Sequence, residues 1–124
     1  MSHHRNPKAL LTPAMHKVLD AMSRVGQVPL HALQPTQARA LYAAAADGLE
    51  PPKRPLNRVE DLHFIARDGK EIEIRLFAPD HEKLPVLVYF HGGGFVIGSV
   101  DTHDGLCRQI SHLAHCADIS VNYL

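Results

Sequence analysis

The stretch that most constrains the fold of this chain is residues 85–98, PVLVYFHGGGFVIG, in which an apolar run meets three consecutive glycines. A continuous apolar run, without alternating polar residues, is typical of a parallel strand buried on both faces. The glycines permit backbone angles that are closed to other residues and let a ligand approach main-chain N–H groups. We therefore expect a ligand-binding loop at the carboxyl end of a buried parallel strand, where α/β folds bind their ligands.

The residues after the glycines predict a strand–helix–strand unit. Asp101 or Thr102 is a suitable cap for a helix, and that helix would carry apolar side chains at positions i, i+4 and i+7, namely Leu106, Ile110 and Leu113. Residues 117–124, ADISVNYL, then begin another strand. Such a crossover is right-handed and joins parallel strands.

The residues before the apolar run predict an antiparallel pair of strands. Apolar and polar side chains alternate over residues 71–76, and they alternate less regularly over 59–66, where Leu62 is slightly out of step. Between the two stretches, residues 67–70 (RDGK) provide the chemistry of a hairpin turn.

Two helices are predicted at the start of the chain. Thr12 followed by Pro13 marks a helix beginning, and a second helix is expected from near Thr36 to Gly48. We expect the two helices to form a small hairpin, followed by the proline-rich stretch EPPKRP at 50–55. The predicted organisation is a helical segment over 1–50, a linker over 51–57 and part of an α/β sheet over 58–124.

Composition excludes several classes of function. Thirteen basic and thirteen acidic side chains leave a formal net charge of zero, so neither a nucleic-acid partner nor a membrane surface is expected. No window is long and apolar enough for a signal or a membrane span, which favours a cytoplasmic protein. Cys107 and Cys116 are expected in one helix, too far apart to form a disulfide. Free thiols fit a reducing compartment.

Three interpretations of the glycine loop compete. Phosphate binding is disfavoured because Ser99 and Val100 stand where a phosphate-binding loop has Lys and Ser or Thr, and no register gives G-x-G-x-x-G. A tight turn without a ligand is the plainest alternative. The third interpretation is an oxyanion hole, in which N–H groups stabilise the negative charge of a tetrahedral intermediate.

The segment His91 to Phe95, HGGGF, after its apolar strand resembles the oxyanion loop of the hormone-sensitive-lipase family of carboxylesterases, which have the α/β-hydrolase fold. GSVDTHD at 98–104 and SVNY at 120–123 resemble the next segments of that family. The resemblance implies that the N–H groups of Gly93 and Gly94 are oxyanion donors. It also implies that His91 and Gly92 shape the loop, that Phe95 walls the substrate pocket and that the first helices belong to a cap.

The nucleophile that this family requires is absent from the sequence. None of the serines, at positions 2, 23, 99, 111 and 120, lies in a G-x-S-x-G elbow. In the family the elbow, the acid and the base histidine come later than the residue at which this sequence stops. The resemblance therefore implies an amino-terminal, incomplete part of a serine hydrolase of short or medium acyl esters, inactive alone and without metal or organic cofactor.

A rival function comes from the same incompleteness. The strand at 86–90 would be an unpaired apolar edge, which predicts self-association or pairing with a completing chain. The 124 residues would then act as a noncatalytic assembly piece.

Three other features of the sequence contain residue types found in functional sites. Ser99, Asp101 and His103 are too close in sequence to form a catalytic triad. A metal site is not expected at His112, His115 and Cys116, because these residues share a helix face only in part and no further ligands are evident. Asp118 stands where the family has an apolar residue at the entry to a strand. Burial of its carboxylate is costly unless the residue lies at the open end of the strand.

Overall fold

A computed structural model describes residues 6–24 and 28–123. The chain divides into two compact units, one up to Leu33 and one from Gln34 onward. The first unit contains α1 (Pro13–Arg24) and two short 3-10 turns, Pro7–Leu10 and Leu30–Ala32. The Thr12 hydroxyl accepts a hydrogen bond from the Met15 N–H at 3.3 Å, so the predicted helix start is confirmed.

The second unit begins with α2 (Pro35–Leu49). The helix starts one residue before Thr36, and the Gln37 side chain accepts a hydrogen bond from the Gln34 N–H at 3.2 Å. Residues 50–57 have no regular helix or strand, as expected for an extended linker. The cap role of residues 1–50 stays a prediction, since these units do not test it.

A mixed four-stranded sheet forms the rest of this unit together with one helix. The strands are β1 (Arg58–Ile65), β2 (Glu71–Ala78), β3 (Val86–Phe90) and β4 (Ala117–Asn122), in the spatial order β1-β2-β4-β3. β2 is antiparallel to both β1 and β4, whereas β3 and β4 are parallel. The predicted hairpin is confirmed, and its turn is closed by the Gly69 N–H, which donates to the Ala66 carbonyl at 2.9 Å.

The crossover between β3 and β4 passes through a 3-10 turn, Asp101–His103, and then α3 (Asp104–Ala114). The prediction of this unit is confirmed, but its predicted cap is wrong. Asp101 accepts a hydrogen bond from Arg75 at 2.8 Å, and the hydroxyl of Thr102 accepts one from the Ser99 N–H at 2.9 Å. Because the chain makes a 3-10 turn before the helix, the hydroxyls of Ser99 and Thr102 satisfy that turn instead.

The predicted apolar face of α3 is not its buried face. Leu106 is 48% and Leu113 78% exposed, whereas the helix buries Asp104, Cys107 and Ser111. The Ser111 hydroxyl lies 3.1 Å from the Phe77 carbonyl and 2.8 Å from the Cys116 carbonyl, so it joins the helix to the sheet. Polar groups therefore line much of the contact between helix and sheet.

Both cysteines are buried and free, but they do not share a helix as predicted. α3 ends at Ala114, and His115 adopts a left-handed conformation with φ of 49° that redirects the chain before Cys116. Burial and the nearby Asp118 carboxylate raise the pKa of the Cys107 thiol to about 12.

The expectation that β3 is buried on both faces is wrong for this chain. Val86 is 63%, Val88 53% and Phe90 63% exposed. The strand lies at the end of the sheet and pairs only with β4 among the described residues. This apolar strand is therefore an open edge of the sheet, in agreement with the prediction of an unpaired strand.

Two aspartates are buried, with opposite electrostatic surroundings. Asp104 accepts hydrogen bonds from Arg75 and Arg108, and Lys53 Nζ lies 3.6 Å from its carboxylate. Asp118 lies within β4, fully buried, and neither of its carboxylate oxygens has a hydrogen-bond partner among the described residues. Burial raises the pKa of Asp118 to about 6. Burial of Asp118 therefore destabilises the sheet, as the sequence predicts.

Candidate functional site

The candidate site is the loop from His91 to Gly98 at the carboxyl end of β3. Three of its glycines have positive φ angles, which are +133° at Gly93, +60° at Gly94 and +92° at Gly98. Phe95 also has a φ of 60°, an uncommon conformation for an aromatic residue. The loop is therefore a shape that this glycine-rich sequence permits and most sequences do not.

Gly93 is the centre of a tight turn. Its carbonyl accepts hydrogen bonds from the N–H groups of Val96 and Ile97, both at 3.0 Å. A β-carbon at Gly93 would overlap the carbonyl of Ile97. The turn thus leaves no room for a side chain at this position.

The same hydrogen bonds set the direction of two N–H groups. The carbonyl and N–H of a trans peptide point in opposite directions, and the chain has no cis peptide among its described residues. Because the Gly92 carbonyl faces His91, the N–H of Gly93 points away from that ring. Because the Gly93 carbonyl faces Val96 and Ile97, the N–H of Gly94 points away from the turn. Neither N–H has an acceptor within the described parts of the chain.

His91 forms the inner side of the loop and is only 2% exposed. Its Nδ1 lies 2.9 Å from the Gly92 carbonyl, and its buried Nε2 has no partner in the part of the chain that the structure describes. The Cα of Gly98 lies against the same ring, since a β-carbon there would fall 2.5 Å from Nδ1. The imidazole therefore contacts both ends of the glycine loop.

Two further rings enclose His91. Tyr123 stacks on it with centroids 4.5 Å apart and an interplanar angle of 20°, and His103 stacks on it at 5.4 Å and 25°. The Tyr123 hydroxyl donates to the main-chain carbonyl of His91. Phe95, 78% exposed, meets the Tyr123 ring edge-on at 6.0 Å. The loop is thus anchored to the residue that follows β4 and to the turn before α3.

A side chain from α2 also holds the loop. The Nε of Arg39 donates to the Val96 carbonyl at 2.6 Å, a charge-assisted bond between residues 57 apart in sequence. The segment that follows the glycines is therefore tied to the helix.

The residues proposed from the sequence, His91 to Phe95, lie together in one loop as consecutive residues must. The sequence interpretation missed the residues that support this loop from elsewhere. A fourth glycine at 98 was a detectable signal, but nothing in the sequence places the rings of His103 and Tyr123 or the guanidinium of Arg39 beside residue 91.

The other side-chain sets do not assemble as sites. The Ser99 hydroxyl accepts from the Thr102 N–H, and Asp101 binds Arg75, so these groups are not aligned with His103 as a triad. The three potential metal ligands have separate surroundings, since His112 lies 3.2 Å from Arg54, His115 pairs with Asp80, and Cys116 is buried.

Comparison with known proteins identifies the fold. A family model described as alpha/beta hydrolase fold matches residues 87–124. An esterase of the archaeon Pyrobaculum calidifontis is 34% identical and superposes with a TM-score of 0.83 over 92% of this chain and 36% of its own. An ester hydrolase from the metagenome of Lake Arreo is 32% identical, with a TM-score of 0.80 over 92% of this chain and 38% of its own.

Curated relatives carry related names. Esterase LipI of Mycobacterium tuberculosis is 38% identical over 94% of this chain, and an ethyl acetate hydrolase of Pseudomonas putida is 35% identical over 86%. The chain spans 35% of the length of each of these relatives. These matches confirm the α/β-hydrolase fold and the resemblance to carboxylesterases. In the described parts of the chain, no helix is long and apolar enough to cross a membrane.

Proposed function

We propose that this chain, which carries the amino-terminal part of the α/β-hydrolase fold, supplies the oxyanion hole of a serine carboxylic ester hydrolase of the hormone-sensitive-lipase family. The observation that carries the proposal is the pair of N–H groups at Gly93 and Gly94. Neither N–H has an acceptor in the described chain. The direction of each N–H is set by the hydrogen bonds that the carbonyl of its own peptide unit accepts. Donors oriented before the reaction are what stabilisation of a tetrahedral oxyanion requires.

The proposal assigns the catalytic serine, acid and histidine to a part of the enzyme that this chain does not contain, and it is supported by the chain's spanning 35% of the length of each curated relative. The sequence contains no G-x-S-x-G elbow, so the 124 residues are inactive alone. In the complete enzyme the serine attacks the ester carbonyl, and the resulting alkoxide accepts hydrogen bonds from Gly93 and Gly94. His91 and Gly92 shape the loop and exchange no proton with the substrate.

The proposed substrate is a small-molecule ester with a short or medium acyl chain. The relative from Pseudomonas putida is by name an ethyl acetate hydrolase, which supports short acyl esters. Phe95 projects from the loop with 78% of its surface exposed, which suits a wall of the substrate pocket. The chemistry needs no metal or organic cofactor. The proposed compartment is the cytoplasm, supported by the two free thiols.

A chimaera tests this function. The chain replaces the matching segment of the Pyrobaculum calidifontis esterase, and hydrolysis of p-nitrophenyl acetate is measured. We expect activity that falls by about 10²-fold or more when Gly93 is changed to Ala, because the turn cannot accept a β-carbon and an oxyanion donor is displaced.

Gly48→Ala is the matched control in the chimaera, since Gly48 lies within α2 rather than in the loop and a β-carbon there meets nothing within 4 Å. A chimaera that unfolds cooperatively but hydrolyses no ester would contradict the proposal. For the 124-residue chain alone, we expect no mass increase after treatment with a serine-directed fluorophosphonate. An adduct would show that one of its five serines is activated.

The open edge of β3 favours a second candidate function, that of an assembly piece that pairs with another copy or with a completing chain. The exposed apolar residues of the strand support it. Neither nucleic acid nor membrane is a proposed partner.

A further inference from the structure

His91 occupies a buried position in which a histidine destabilises the fold unless a ring nitrogen makes a hydrogen bond. The ring is buried, and its Nε2 has no partner within residues 6–24 and 28–123. A phenylalanine would fill similar space without leaving a buried polar atom unsatisfied. The one interaction that only a polar ring can make here is the contact between Nδ1 and the Gly92 carbonyl at 2.9 Å.

That contact determines which ring nitrogen carries the proton. A carbonyl oxygen only accepts hydrogen bonds, so Nδ1 of His91 must be the donor. In the opposite tautomer, the lone pair of Nδ1 would face the carbonyl oxygen, and Nε2 would be a buried donor with no acceptor. The Nδ1–H tautomer is therefore the one that the surroundings of the ring accept.

The His103 ring, which stacks on His91, has its own anchor. Thr102 Oγ1 donates to the Ser99 carbonyl at 3.0 Å, so its remaining lone pair can accept from Nδ1 of His103 at 2.9 Å. This bond fixes the plane of the His103 ring. The centroid of the His103 imidazole then lies 5.4 Å from that of His91, with the ring planes 25° apart.

The Tyr123 ring, which also stacks on His91, is bonded to the main chain of that same residue. The Tyr123 hydroxyl donates to the His91 carbonyl while its ring stacks on the imidazole at 4.5 Å. One side chain therefore holds both the main chain and the ring of His91. Rotation of the imidazole about its χ angles would break its stacking with both rings.

We infer that Tyr123 and His103 are positioning residues: they clamp the His91 ring as its Nδ1–H tautomer, which holds the Gly92 carbonyl and so directs the N–H of Gly93. Neither residue contacts the reacting atoms. The catalytic meaning of the inference rests on the proposed oxyanion role of Gly93. The clamp itself is a property of this chain and is measurable without an ester.

The test is the tautomer of His91 in the 124-residue chain labelled with 15N-histidine. Two-bond 1H–15N correlations distinguish the two ring nitrogens, and His91→Phe identifies the signals among those of the ten histidines. We expect a protonated Nδ1 and a bare Nε2. If the chain self-associates, magic-angle-spinning spectra of the assembled material give the same information. A His91 protonated at Nε2 overturns the inference without any variant.

Tyr123→Phe tests the clamp, because it removes only the hydroxyl that binds the His91 carbonyl. We expect the Nδ1 proton to exchange with solvent about tenfold faster, the effect of losing one hydrogen bond, and the Gly93 amide resonance to shift. Tyr89→Phe is the matched control, since the Tyr89 ring lies 6.0 Å from His103 and outside the clamp's contacts with His91. Equal shifts of Gly93 in both variants overturn the inference.

The same substitutions in the chimaera separate the clamp from the proposed function. Tyr123→Phe should lower kcat with KM little changed, whereas Tyr89→Phe should leave both near the parent values. A chimaera without esterase activity, together with the expected tautomer and Gly93 shift, rejects the function and keeps the clamp. An active chimaera whose His91 is protonated at Nε2 rejects the clamp and keeps the proposed function.

Discussion

The Cα of Gly98 packs against the imidazole of His91 so closely that a β-carbon at residue 98 would lie 2.5 Å from Nδ1 and 2.7 Å from the Gly92 carbonyl oxygen. The two ends of the glycine loop therefore meet at the hydrogen bond between His91 and Gly92. A residue that resembles an ordinary turn glycine in the sequence is part of the contact that shapes the candidate site.

Gly98→Ala should destabilise the chain by about 1–3 kcal/mol. The substitution introduces a side chain where φ is +92° and forces it against both partners of the His91–Gly92 bond. Urea unfolding followed by circular dichroism measures the change. Gly48→Ala is the control of opposite sign, because Gly48 lies within α2 with nothing within 4 Å and alanine favours a helix by about 0.5–1 kcal/mol. Equal effects of the two substitutions would refute the packing argument.

Asp104→Ala should cost about 3–5 kcal/mol of unfolding free energy. The Asp104 side chain is 2% exposed, and its removal leaves the guanidinium groups of Arg75 and Arg108 without their buried partner. Asp101→Ala removes a different carboxylate from the same Arg75 nitrogen, but that side chain is 79% exposed. We expect this control to change stability by less than about 1 kcal/mol. Similar losses in both variants would mean that burial does not set the cost.

Asp118 should make the folded chain less stable as the pH rises from 4 to 6. Burial raises the pKa of its carboxyl from an ordinary value near 4 to about 6, so the folded state binds a proton more tightly than the unfolded state does. Stability is thus highest below pH 4 as far as this group is concerned. Above pH 6 the full penalty, about 3 kcal/mol, is present.

Unfolding in urea at a series of pH values tests this dependence with two variants. Asp118→Asn has no carboxyl to titrate, so the fall in stability between pH 4 and 6 should flatten. Asp47→Asn, at an exposed position of α2, should keep the fall seen in the parent chain. A parent chain whose stability rises through this interval would show that another group dominates.

The purified chain should self-associate through β3. This edge strand, VLVYF, carries no charged side chain, whereas the other edge strand, RVEDLHFI, carries three. Charged residues on an edge discourage pairing, so Val88→Lys should shift the elution volume in size-exclusion chromatography toward the 13.7 kDa monomer. Leu62→Lys on β1 should leave it unchanged. A parent chain that elutes as a folded monomer would contradict the prediction.

Local patterns in the sequence were sufficient to predict the elements of the fold. Alternation predicts β1 and β2, the continuous apolar run predicts β3, and Thr12 with Pro13 predicts the start of α1. These signals are local because strand and helix periods and caps depend on residues a few positions apart. The order of elements then restricts the connection between β3 and β4 to a parallel crossover.

Burial could not be predicted in the same way. The spacing of Leu106 and Leu113 favours a core-facing stripe, yet α3 buries Cys107 and Ser111, and the Ser111 hydroxyl bonds the Phe77 carbonyl of β2. β3 has the composition of a central strand and lies at an edge. Which surface is covered depends on the neighbours that are present, and a local pattern does not contain them.

For the candidate site, the sequence alone determined the loop: three glycines after an apolar strand demand unusual backbone angles close to a ligand-binding edge. Only the tertiary structure decided how that loop is held. The rings of His103 and Tyr123 and the side chain of Arg39 reach it from three other elements. Backbone freedom is a property of the residues themselves, whereas the direction of an N–H group is set by contacts between residues distant in the chain.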